Sequence, residues 1–167
     1  FSTSYTLSKT HDDASDYDEQ PQNPLDLAAE NALSRQHQQQ RFVFNALWEL
    51  PVGDEEGNAG TAKQASGWLM RAFSHIEMAS IITAESGRPV SPLTGLDSNR
   101  THAFPLSARP LGAGRNSIQT PAIVTIDLRV LKYVPFGGPR RLDLVSEFFN
   151  LLNRPNASQI NPVFGSN

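Results

Sequence analysis

Between Ile123 and Tyr133 the apolar residues Val124, Ile126, Leu128 and Val130 alternate with Thr125, Asp127, Arg129 and Leu131. Successive side chains of a β-strand point to opposite faces, so this period of two describes a strand with one apolar side. Four other segments share it. Phe1–Lys9 sets Phe1, Thr3, Tyr5 and Leu7 against Ser2, Ser4, Thr6 and Ser8, and Arg41–Leu50 aligns Phe42, Phe44, Ala46, Trp48 and Leu50 opposite Val43, Asn45, Leu47 and Glu49. Ser74–Glu85 places Ile76, Met78, Ser80, Ile82 and Ala84 opposite His75, Glu77, Thr83 and Glu85. Arg141–Asn150 places Leu142, Leu144 and Phe148 opposite Arg141, Asp143, Val145 and Glu147. Five such segments predict an all-β, antiparallel up-and-down meander of about five long strands. Whether protein or hydrocarbon lies against the apolar side decides what the chain can do.

Three features favour hydrocarbon. The segments run to about nine to twelve residues, whereas soluble strands are usually about five or six and tilted membrane strands need about 9–11. The connections run long, intermediate, long, short. About thirty polar residues precede the second strand, a similarly long Pro- and Gly-rich stretch precedes the fourth, and "PFGGP" alone joins the fourth to the fifth. Such loops count against a compact soluble domain but are ordinary in outer-membrane barrels, where long loops lie outside and short turns face the periplasm. Aromatics near strand ends (Tyr5, Trp48, Tyr133, Phe136) suit interfacial girdles. A soluble β-sandwich that binds carbohydrate or protein remains the rival, with Phe42, Phe44 and Trp48 packed on a second sheet.

Composition removes other classes. Hydrophobic residues make up 38%, below the roughly 45–50% of globular domains. A net charge of −3 gives no electrostatic basis for nucleic-acid binding. With no Cys, thiolate metal sites, disulfides and cysteine nucleophiles are excluded. There is no apolar run of the length a transmembrane helix needs. The four His are scattered, so no metal site is expected. "GAGRNS" at Gly112–Ser117 lacks the third glycine of a dinucleotide fingerprint and reads as a turn. No nucleophile elbow surrounds Ser86, and with no acid–base constellation the chain is expected to be no enzyme and to need no cofactor. The acidic run "HDDASDYDE" (His11–Glu19) offers charge for a cation, but it lacks the ligand spacing of a calcium loop and reads as a solvated mobile loop. Residues 61–73, "TAKQASGWLMRAF", can form a short amphipathic helix that clusters Trp68, Leu69 and Phe73. The sequons at Asn99–Thr101 and Asn156–Ser158 would matter only in a eukaryotic secretory chain.

Six charges on the polar faces are candidates for a ligand path: Glu77, Glu85, Asp127, Arg129, Asp143 and Glu147. The plainer reading makes them cross-strand pairs that keep a large barrel round. One hairpin register puts Asp127 opposite Glu147, which like charges disfavour. The other puts Arg129 opposite Glu147 with the turn centred on Gly138, and this second register is expected. Five strands cannot close, since the smallest barrels take about eight, and open edges are not tolerated in hydrocarbon. The chain is therefore expected to be a fragment of a large transmembrane β-barrel.

Five stretches carry a family resemblance: "FSTSYTLSKTHDD", "NPLDLAAENALSRQHQQQRFVFNALWELP", "ITAESGRPVSPLTG", "GRNSIQTPAIVTIDLRVLKY" and "RRLDLVSEFFNLLNRPN". In order and spacing they resemble C-terminal barrel segments of TonB-dependent outer-membrane receptors, in particular the Oar-like group. The resemblance implies a plugged barrel of about 22 strands in the outer membrane of a Gram-negative bacterium, importing scarce ligands with energy relayed by TonB. It implies that residues 1–167 are an incomplete C-terminal barrel region, with plug domain, earlier strands and final strand absent. The partners would be outer-membrane lipid, an unidentified extracellular ligand and, through the full-length protein only, TonB and the plug. Some Oar-like members would instead be structural or adhesive.

Overall fold

The computed structural model describes residues 1–50, 52, 72–97, 100, 102, 108–135, 139–157 and 159–164. Five long strands form one antiparallel sheet: β1 (Ser2–Leu7), β4 (Gln40–Glu49), β5 (Ile76–Glu85), β8 (Ile123–Pro135) and β9 (Arg141–Phe148). They neighbour one another in chain order, β1-β4-β5-β8-β9, so the sheet is an all-β meander with β1 and β9 at its edges. The period of two thus locates all five strands, and β1 is shorter than the alternation of Phe1–Lys9 implied. Two two-stranded ladders that the alternation did not announce complete the regular structure. They are β2 (His11–Asp12) with β3 (Ala32–Leu33), and β6 (Pro89–Val90) with β7 (Ile118–Gln119). A 3-10 helix at Leu27–Glu30 precedes β3.

Register in the β8–β9 hairpin follows charge. Arg129 pairs with Glu147, Tyr133 with Asp143 and Pro135 with Arg141, as the charge argument required. Residues 136–138, where the turn centre was expected, and Phe136 of the aromatic set lie outside the described residues, as do Trp68 and Leu69 of the expected helix and Asn99, Thr101 and Ser158 of the sequons.

Contacts divide the chain into two compact units. The first comprises Phe1–Ser4, Val43–Thr83 and Thr125–Arg154. Its apolar face carries Leu142, Leu144 and Phe148 at 44–51% exposure, and Phe44 stacks on Phe1, the residue before β1, with ring centroids 6.3 Å apart. Among the described residues no second sheet covers Phe44 and Trp48. Lys132 shares this face with Val130 and Val134, and its ammonium reaches the strand end to donate to the carbonyls of Ala72 at 2.8 Å and Ser74 at 3.0 Å. The lysine stem can thus lie along the apolar face while its charge is met by carbonyls before β5.

The second unit comprises Tyr5–Phe42, Ala84–Val124 and Pro155–Asn167. Here β6 and β7 hold each other closely: Arg88 N–H donates to Thr120 Oγ1 at 2.8 Å and Thr120 N–H to Arg88 O at 2.9 Å. That approach requires Gly87, where an added Cβ would lie 1.6 Å from Thr120 O. Leu93 bridges Val163, and the side-chain amide of Asn156 pairs with the backbone of Val124, donating to its carbonyl at 2.9 Å and accepting its N–H at 3.0 Å.

Burial is inverted relative to a water-soluble domain. Among the described residues the buried apolar side chains are Ala108, Pro89 and Pro92, while Glu30, Ser34, His37, Arg109, Arg115 and Asn116 are buried polar residues. Many large apolar side chains thus stand exposed, while three charged residues, Glu30, Arg109 and Arg115, are buried. No helix of the described residues is long and apolar enough to cross a membrane.

Candidate functional site

The six sequence candidates all sit at odd positions of β5, β8 and β9, on the face opposite Leu142, Leu144 and Phe148. In the first unit they pair locally. Glu77 accepts a hydrogen bond from the Tyr133 hydroxyl at 3.0 Å, and the Arg141 guanidinium lies 4.6 Å from the centroid of the Tyr133 ring. Asp143 pairs with Arg141 at 3.1 Å, and Arg129 with Glu147 at 3.8 Å with both side chains about half exposed. Asp127 accepts the Asn150 N–H at 2.9 Å. It therefore fixes the chain leaving β9, where Asn150 sits at φ 49° and closes a loop with Arg154. This face also carries Leu47, Ile81 and Val145, all exposed, so it is a mixed wall rather than a charged channel.

Glu85 belongs to the second unit, where Arg41 donates to it at 2.7 Å and Gln38 Nε2 at 3.0 Å. The structure thus gives each of the six a protein partner. It does not gather them into one constellation.

The denser assembly lies in the second unit and was not singled out by sequence. Arg109 grips Glu30 with both terminal nitrogens, at 2.7 and 2.8 Å, while its Nε donates to Gln22 Oε1 at 3.0 Å. Arg115, with no exposed side-chain surface, donates to Glu19 Oε1 at 3.0 Å, to the carbonyl of Asp12 at 3.0 Å and to Ser15 Oγ at 3.0 Å, and it forms an ion pair with the Asp12 carboxylate. Asn116, at φ 52°, donates to Leu33 O at 2.7 Å; asparagine tolerates this left-handed backbone better than most residues. His37 is buried and accepts the Thr10 N–H at Nδ1, 3.2 Å. Segments far apart in sequence, 8–38 and 108–120, are thereby tied together by side chains.

Burial raises the Glu30 carboxyl, but the Arg109 hydrogen bonds, the Gln22 N–H and the charges of Arg109 and Arg115 outweigh it and hold Glu30 below the ordinary carboxylate value. The acidic run His11–Glu19 is consequently not a plain solvated loop. Asp12 and Glu19 are the counterions of Arg115, Asp13 accepts from Asn31 at 2.8 Å, and Glu19 Oε2 accepts the Ser15 N–H at 2.7 Å. "GAGRNS" is a turn, as expected, but a turn that delivers a buried arginine. Among the described residues no group of acids and histidines is placed to hold a metal ion.

Comparison with known proteins agrees with the sheet. Residues 1–112 match a family model described as outer membrane beta barrel domain. No curated protein and no solved structure matched the chain.

Proposed function

The chain belongs to the outer membrane beta barrel domain family, and we propose that within it the chain is part of the barrel wall of a TonB-dependent, Oar-like receptor that takes up ligand across the outer membrane. In this reading the rest of the full-length protein supplies a plug, earlier strands and a closing strand. Outer-membrane lipid lies against Leu142, Leu144 and Phe148, TonB is met only through the full-length protein, and nucleic acid and catalysis have no part. The two long connections would contribute to an extracellular ligand gate.

The observation that carries the reading is the pairing of an outward apolar sheet with loops organised by buried Arg–carboxylate contacts. A barrel that served only as a membrane anchor would have no need to rigidify some thirty residues of loop, because ordering each residue costs roughly 1–2 kcal/mol of backbone entropy. A receptor gains from that cost, since preorganised loops lose less entropy on binding.

The test is retention of the purified full-length protein on an immobilised C-terminal domain of TonB from the same genome. Retention that is lost when the N-terminal plug region is deleted supports the importer. A full-length protein that reaches the outer membrane yet shows no retention is a structural or adhesive barrel instead.

A further inference from the structure

The second unit contains a cleft of about 470 Å³ lined by Glu19, Arg35 and Arg88 together with Leu93, Ile160 and Pro162. That volume lies within the range of small-molecule sites, which combine an apolar lining with a few polar groups. Its electrostatics are set by how its three charges are committed. Glu19 is used up from behind: Arg115 holds one carboxylate oxygen at 3.0 Å and the Ser15 N–H holds the other at 2.7 Å. Arg35 reaches a carboxylate only loosely, at 3.9 Å from Asp16, with both side chains about half exposed. Such a pair contributes about 0–1 kcal/mol and exchanges readily for a better partner. Arg88 spends its backbone on β7 through Thr120. The carboxylate that shares its surroundings, Glu85, is hydrogen-bonded by Arg41 and Gln38, and Arg88 acts on it only through the weaker attraction of its charge. The cleft therefore offers two only loosely committed guanidinium groups, one internally neutralised acid and an aliphatic wall.

The geometry points to this cleft as a binding site for an amphipathic organic anion, a carboxylate or sulfonate head on an apolar body. The head pairs with Arg88 and Arg35, and the body lies on Leu93, Ile160 and Pro162. The inference rests on the receptor reading, because it takes the second unit as the part that meets ligand, and it narrows that reading to a ligand class.

The test uses the full-length protein in phosphatidylcholine nanodiscs and two fluorescent probes of similar shape, dansylglycine, which is anionic, and dansylamide, which is neutral. Dansylglycine is expected to bind saturably and more tightly than dansylamide. Arg88→Ala is expected to weaken dansylglycine at least tenfold and leave dansylamide unchanged, Arg35→Ala to weaken it about threefold, and Arg140→Ala, which removes an equal charge outside the cleft, to leave both probes unaffected. If Arg88→Ala loses the heat-modifiable migration of a folded barrel, Arg88→Gln carries the same expectation. Absence of saturable dansylglycine binding, equal affinity for the two probes, or indifference to both arginine substitutions overturns the assignment. A protein that is retained by TonB but ignores dansylglycine refutes the cleft alone. One that binds dansylglycine through Arg88 yet is never retained by TonB refutes the importer and leaves the cleft standing.

Discussion

The two units spend their residues in opposite ways. In the sheet unit Leu142, Leu144 and Phe148 stand exposed on one face, and the charges on the other, Arg129, Glu147, Arg141 and Asp143, form pairs that remain 40–63% exposed. In the loop unit two arginines, Arg115 and Arg109, are deeply buried, at 0% and 4% side-chain exposure. The contrast shows where each unit gets its order. On the proposed reading the sheet is held by its backbone ladder and by what its apolar face avoids, so individual ion pairs matter little. The loop unit has only two short ladders, β2–β3 and β6–β7, and its buried charges must be met by partners because they cannot be left alone.

The sharpest way to break the comparison is to remove one arginine from the loop unit. Arg115→Ala strands Asp12 and Glu19 and is expected to cost the loop unit about 3–5 kcal/mol, read as loss of protease resistance in residues 8–38 of the full-length protein while the barrel still migrates as folded. If resistance is unchanged, the ionic clasp does not order the loops. Next in size, Leu144→Arg is expected to destabilise the barrel by about 2–4 kcal/mol in a urea folding titration into vesicles, as charges on a lipid face do. Val145→Arg, one residue along and on the opposite face, should cost far less. Equal effects would remove the distinction between the faces.

Acid sharpens the same contrast. Glu30 has its folded value held below the ordinary 4.5. A lowered carboxyl contributes stability that is complete above its unfolded value and disappears as pH falls through the folded one. The loop unit should therefore begin to loosen below about pH 4.5, seen as pepsin cleavage within residues 20–36 relative to a denatured control. Glu30→Gln should remove this acid-dependent step. The smallest effect is expected from Arg129→Ala, whose partner Glu147 lies 3.8 Å away; under about 1 kcal/mol is expected in the same urea titration.

How much of this could be read beforehand follows from periodicity. The meander was legible because a strand writes its two faces into alternate residues, and Leu128, Val130, Leu142 and Leu144 keep that alternation without interruption. The hairpin register was legible because Asp127 and Glu147 repel, while Arg129 and Glu147 do not. The site was less so. Glu77 and Asp143 could be placed on a face, but nothing in their spacing says that Tyr133 and Arg141 would claim them. The Arg115–Asp12–Glu19 and Arg109–Glu30 contacts join positions about 80 to 100 residues apart, and no period or motif in one chain encodes so distant a pairing. The acidic run His11–Glu19 and the turn at Gly112–Ser117 were both visible as local features, but nothing in either says that Asp12 and Glu19 would meet Arg115.

The most direct test of the central claim, that the apolar face of the sheet meets hydrocarbon, exploits a chain with no cysteine. Single spin-labelled cysteines at positions 141 to 148, placed in the full-length protein reconstituted into vesicles and freed of any cysteines it has elsewhere, report contact with oxygen, which concentrates in lipid, and with a water-soluble nickel chelate. The account predicts oxygen accessibility that peaks at Leu142, Leu144 and Phe148, with nickel accessibility peaking at Arg141, Asp143 and Glu147. A profile without that two-residue alternation, or with nickel reaching the even positions as readily as the odd, would contradict it.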